Sequence, residues 1–154
     1  MSTDISTALN AISVMILFVT AIILIRQISE MRRATYATSY KAVYDMLQAD
    51  DVRLARRIVF TRLSNKTPDT WSEDEIQAAE KVCYTYDCVG IMARNKIVPE
   101  KYVADSWGDS LRRSWAVLEP FVKLSRTQRS SAEFWNEYEW LSLEAEKYRK
   151  PAMS

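Results

Sequence analysis

Residues 5–25 read ISTALNAISVMILFVTAIILI: 21 consecutive residues without a charge, with Asp4 before them and Arg26 after. At about 1.5 Å per residue a helix of that length measures roughly 30 Å, the thickness of a bilayer's hydrocarbon core. A cleaved signal peptide competes for this segment. Its leading region should be positive, whereas the charge ahead of this run is Asp4. No small-x-small cleavage site follows, and Arg26-Gln27-Ile28 carries the helix onward. A core helix of a soluble domain also competes, but such helices seldom go so long without a charge. The reading is a single transmembrane helix within residues 1–25.

Charge then sets orientation. Arg26, Arg32, Arg33 and Lys41 lie within about 20 residues of the C-terminal end of the run, the window in which Lys and Arg determine topology. The N-terminal flank has none. The expectation is a single-pass protein of the bacterial inner (plasma) membrane, with its N-terminus outside and residues 26–149 a cytoplasmic domain. Residues 150–154 read as a frayed tail.

The span is not uniformly apolar. Ser6, Asn10, Ser13, Leu17, Thr20 and Leu24 fall on one 3-4-3-4 seam, the spacing of helix–helix contacts. Gln27, Met31 and Ala34 extend it. Two readings stand: a self-associating or partner-binding seam, or Ser and Thr hydroxyls bonded to carbonyls of their own helix, with Asn10 in the interface region.

Beyond the span, 2 Gly and 4 Pro leave little turn chemistry, so long helices with short connections are expected, a bundle of about four to five. The first helix is predicted to run from about residue 5 to 49, with Tyr36, Tyr40, Val43, Tyr44 and Leu47 as its inward stripe. Asp50-Asp51 starts a second helix whose buried face is Val52, Ala55, Ile58, Val59 and Leu63, with Arg53, Arg56, Arg57 and Arg62 mostly elsewhere. Ser72-Glu73-Asp74-Glu75 is a capping box. The helix it opens has the cleanest pattern in the chain: Ile76, Ala79, Val82, Cys83, Tyr86, Val89, Gly90, Ala93. Gly90 on that face predicts a close helix crossing. Pro99 is expected to open a short helix and Ser106 to Asp109 another, interrupted at Pro120. Ser130 to Glu133 reads as a last capping box, before Phe134, Tyr138, Leu141, Ala145 and Tyr148.

Chemistry is scarce. The sequence has no His, which removes the commonest general base and metal ligand. Cys83 and Cys88, five apart on one helix, point to different faces, too few and too divergent for a zinc site. They read as small apolar residues in a reducing compartment. The acidic pairs sit at helix starts, where the dipole accounts for them. No phosphate-binding glycine loop is present. No catalytic residue, metal or cofactor is therefore expected, and no small-molecule substrate. A net charge of +1 gives no bulk attraction to nucleic acid. Its distribution is uneven: residues 26–66 hold nine Lys/Arg against four Asp/Glu, and residues 67–105 four against eight. Asp87, mid-helix among apolar neighbours, is either an exposed or ion-paired carboxylate or a buried one needing a partner such as Arg56 or Arg112. The five Trp, eight Tyr and four Phe exceed what packing requires, and Trp71, Trp135 and Trp140 stand as candidate interface aromatics, the alternative being a shallow core edged by rings.

The order of motifs is familiar: a span running into Met31-Arg32-Arg33-Ala34, then Asp51 to Arg57, the Ser-Glu-Asp-Glu-Ile helix, Ile97 to Glu100, Trp115 to Phe121, and Tyr138 to Leu141. Over about Ile5 to Tyr148 the chain resembles a family of small bacterial membrane-anchored helical proteins designated only as a domain of unknown function. The resemblance implies architecture and no activity. The functional expectation is a membrane-tethered protein–protein interaction module, partnered by membrane lipid and by another protein or a second copy. It could serve as an accessory subunit of a membrane complex. The alternative is a toxin or defence effector that oligomerises through its span.

Overall fold

The computed structural model describes the backbone of residues 2–148 and the side chains of residue 10 and residues 12–148. Five α-helices follow one another: α1 (Ser2–Gln48), α2 (Asp50–Ile58), α3 (Glu73–Arg94), α4 (Glu100–Arg129) and α5 (Asn136–Lys147). A π-helical turn, Val59–Leu63, prolongs α2, and Pro68–Thr70 forms a 3-10 turn. There is no strand among the described residues. The chain divides into two compact units, Met1–Thr38 and Ser39–Ser154. The frayed tail expected at 150–154 lies outside the described residues.

The second unit is built around α3, which contacts α2, α4 and α5. Its start is the predicted capping box: Ser72 Oγ accepts from the Glu75 amide, and Glu75 Oε2 accepts from the Ser72 amide at 3.0 Å. Lys66 ties the preceding loop to the same carboxylate at 2.7 Å. Val82, Cys83, Tyr86, Val89 and Ala93 are fully buried, as their spacing predicts. Gly90 lets α5 approach: a Cβ there would run into the carbonyl oxygen of Glu137 and lie 2.9 Å from Glu137 Cβ. The lower part of α1 contributes Val43 and Leu47 to this core.

Three expectations about helix ends are corrected. Residues 100–129 form one helix, without a start at Ser106 or a break at Pro120. Ser106 does not cap; its hydroxyl lies 3.0 Å from that of Tyr40. Pro120 lies on the exposed face, as does Ala116, whose carbonyl the missing N–H would have engaged. Water can satisfy that carbonyl, and burial of Leu111, Leu118 and Val122 on the other face outweighs the local cost, about 3 kcal/mol for an interior proline. The third concerns α5. It starts at Asn136, not at Ser130–Glu133, because Ser130 (φ 51°) and Trp135 (φ 56°) are left-handed and the chain turns between them. Arg126 fixes that turn, donating from Nε to the Phe134 carbonyl at 2.8 Å and pairing with Glu139 at 2.7 Å.

Candidate functional site

The apolar segment is the first feature that calls for a partner. From Ile12 to Ile25 every described side chain is exposed, on all faces of the helix; Leu17 is 69% accessible. An 18-residue window within Ile12–Gln48 has a mean hydropathy of 2.2, long and apolar enough to cross a membrane. A helix apolar all round is stable inside a protein core or in lipid, and none of this window is buried.

The seam residues are placed as follows. Ser6 lies outside the described side chains. Asn10, Ser13, Leu17, Thr20 and Leu24 are all exposed. The Thr20 hydroxyl donates to Ile16 O at 2.8 Å, and Thr35 and Thr38 repeat the arrangement on Met31 O and Ala34 O. Thr20 therefore has no donor left for a neighbouring helix, though its oxygen can still accept. Arg26, Arg32 and Arg33 are exposed, and Lys41 pairs with Asp45 one turn on.

Within the helical unit the aromatics are corrected. Trp71 and Trp135 are 7% and 6% exposed, not surface residues. Both pack on Phe121, with ring centroids 5.1 and 5.7 Å away. Trp135 is buried because its left-handed backbone turns the ring inward ahead of α5, a reversal that helical periodicity cannot anticipate. Trp140 is half-buried beneath the Arg94 guanidinium, 4.8 Å from its ring centroid. Three more arginines lie over rings in the same way: Arg56 on Trp107, Arg113 on Phe60 and Arg129 on Phe134. The surplus aromatics thus serve in part as platforms for arginines, each such stack contributing about 0.5–2 kcal/mol.

Asp87 pairs with neither Arg56 nor Arg112. Its Oδ1 accepts the backbone N–H groups of Glu137 and Tyr138, both at 3.0 Å. It caps α5 from across the bundle, supplying the side chain that Trp135 at the N-cap position lacks. Arg112 instead donates to Ala145 O at 2.9 Å and pairs with Glu146. Arg56 is 8% exposed, which corrects its expected placement away from the buried face. The spacing did carry that signal: Arg56 stands four residues after Val52 and three before Val59, on the same stripe.

Both cysteines are free. Burial, then the nearby carboxylates of Asp87 and Glu80, push the Cys83 thiol well above its ordinary value, so it stays protonated and inert. A cleft of about 650 Å³, not foreseen from sequence, is bordered by Asp51, Glu80, Lys81, Tyr84, Arg129 and Phe134. Its charges are matched internally. Lys81 pairs with Asp51 and is the main cause holding that carboxyl below its usual range, and Arg129 lies 3.9 Å from Glu80.

The family model of a domain of unknown function, DUF4760, matches residues 11–144. The chain belongs to that family. The match runs from the apolar half of α1 into α5, so one family model covers both most of the candidate span and the helical unit. No curated protein and no solved structure matches the chain.

Proposed function

We propose that this DUF4760 protein is a membrane-tethered interaction module, without catalytic activity of its own. It would cross the inner (plasma) membrane once, N-terminus outside, and hold residues 26–149 in the cytoplasm. It would bind a protein partner, or a second copy, through the 3-4 seam of its span. The observation carrying this reading is that the apolar run Ile12–Ile25 is exposed on every face, with Ser13 and Thr20 along one side and Asn10 just ahead of it on the same side. Interhelical amide and hydroxyl contacts in lipid contribute about 0.6–2 kcal/mol each, enough to bias association. The basic residues Arg26, Arg32 and Arg33 support the orientation.

The test is cross-linking and light scattering of the full chain in detergent and in vesicles, with and without Asn10→Leu plus Ser13→Leu. The expected outcome is an oligomer, or a stoichiometric complex, that the double substitution weakens. Protein that is monomeric and unaccompanied in both forms overturns the reading. Loss of membrane potential on overexpression, abolished by the same substitutions, would move the seam to a bilayer-permeabilising effector. Reporter fusions at either end test the orientation, and an N-terminal fusion active only in the cytoplasm overturns it.

A further inference from the structure

Five buried side-chain atoms lack a hydrogen-bond partner among the described residues: Arg56 Nη1, Trp71 Nε1, Trp107 Nε1, Arg126 Nη2 and Glu137 Oε2. They are not equivalent. Arg126 already has a carboxylate, Glu139, at 2.7 Å, and Glu137 Oε2 lies 2.8 Å from Arg94 Nε. Trp71 is a neutral indole beside Phe121. Arg56 alone is a charge that is more than nine-tenths buried and ion-pairs with no carboxylate among the described residues. A further orphaned donor, Trp107 Nε1, belongs to the ring over which the Arg56 guanidinium lies, at 5.2 Å from the centroid. Two side chains with an unsatisfied donor, one of them cationic, therefore lie against each other, Arg56 from α2 and Trp107 from α4.

The Tyr86 hydroxyl makes a hydrogen bond with the Arg56 guanidinium, yet Arg56 Nη1 and Trp107 Nε1 keep no acceptor among the described residues. Tyr86 and Ser110 share a hydrogen bond of 2.7 Å, and Tyr138 donates to Ser114, which donates to Leu111 O. Burial raises the Tyr86 phenol more than the nearby Arg56 lowers it, so no tyrosinate neutralises the guanidinium. Buried donors without acceptors are rare in folded proteins, and a buried cation needs an anion more than it needs a water molecule.

We propose that Arg56 and Trp107 form an oxyanion site, with Arg56 Nη1 and Trp107 Nε1 donating to the oxygens of one small carboxylate or phosphate group. The pair presents donors only, and a fork of N–H groups suits a planar carboxylate or a phosphate edge. That group can come from a free anion or from an anionic lipid headgroup. The inference is independent of the seam described above.

The test is thermal unfolding of the full chain in a neutral detergent, with sodium phosphate or sodium acetate titrated against sodium chloride at matched ionic strength. A parallel series uses mixed micelles containing phosphatidylglycerol or phosphatidylcholine. Ligand at a hundredfold its dissociation constant should raise Tm by about 5 °C or more. Arg56→Met and Trp107→Phe should each abolish that rise; Trp107→Phe keeps the ring and removes only the N–H, so it remains informative if Arg56→Met fails to fold. In chloride, Arg56→Met loses the stack on Trp107 and also removes a buried charge, two opposing effects, so the variant is read from its ligand-dependent shift alone. A rise with phosphate or acetate assigns the site to a free anion, and one confined to phosphatidylglycerol assigns it to the headgroup. No anion-specific rise in the parent chain overturns the proposal. So does a rise that both variants retain, which would mark an adventitious ion only.

Discussion

Residues 12–25 and residues 76–93 are both helical and both carry many aliphatic side chains, yet those side chains end in opposite places. In α3 the apolar residues recur every three or four positions and vanish into the core, where Val82 and Val89 have no accessible surface. From Ile12 to Ile25 they occupy nearly every position and all remain exposed. A stripe can be covered by neighbouring helices of the same chain, whereas a cylinder that is apolar on every face needs a surrounding medium. The same hydrophobic effect thus closes the bundle on itself and leaves a helix long and apolar enough to cross a membrane.

The change expected to break that contrast most strongly is Ile16→Arg with Phe18→Arg. Each arginine near mid-span costs about 2.5–3.5 kcal/mol of insertion. The membrane fraction should lose the protein, while the near-ultraviolet spectrum of the bundle's tryptophans is unchanged. Retention in the membrane would show that the span is held by something other than its own apolarity. Next is Gly90→Ala, which the span comparison predicts to leave localisation intact. The added methyl meets the Glu137 carbonyl, a backbone atom that moves only with α5. Overpacking of this kind costs about 1–3 kcal/mol, and a melting curve matching the parent would show that the crossing is looser than described.

Asp87→Ala should cost about 1–2 kcal/mol, the value of a helix cap, and should loosen the first turn of α5 selectively in hydrogen exchange. Uniform protection across α5 in the variant would remove Asp87 from that role. The smallest effect concerns acid. Glu75 titrates below its ordinary value, first because of Lys66 and then because of the Ser72 amide. A carboxyl depressed in the folded state contributes stability above its unfolded value, near 4.5, and loses it as pH falls through the lower folded value. Glu75→Gln should therefore lower stability by a constant amount above about pH 4.5 and flatten the profile's fall below it. An unchanged acid limb would show that the ion pair with Lys66 does not persist in solution.

What could be read in advance and what could not separate along a physical line. The helical class, the span-length run, the Ser72–Glu75 box and the inward face of α3 rest on local composition and on the period of 3.6, which neighbouring residues specify among themselves. The close crossing at Gly90 was legible for the same reason: glycine on a buried face marks a backbone approach. The start of α5, the burial of Trp71 and Trp135, and the destination of Asp87 were not. Each depends on a residue about fifty positions away, or on a left-handed turn that carries no glycine. Arg56 stands between the two cases: its spacing placed it inward, but charge argued for the surface, and only the packing of Trp107 over it decided the matter. Local order along the chain is enough to say where apolar surface lies on each helix. Tertiary structure alone decided which polar groups are left to satisfy one another, because hydrogen bonds are allocated by proximity in space, not by order in the chain.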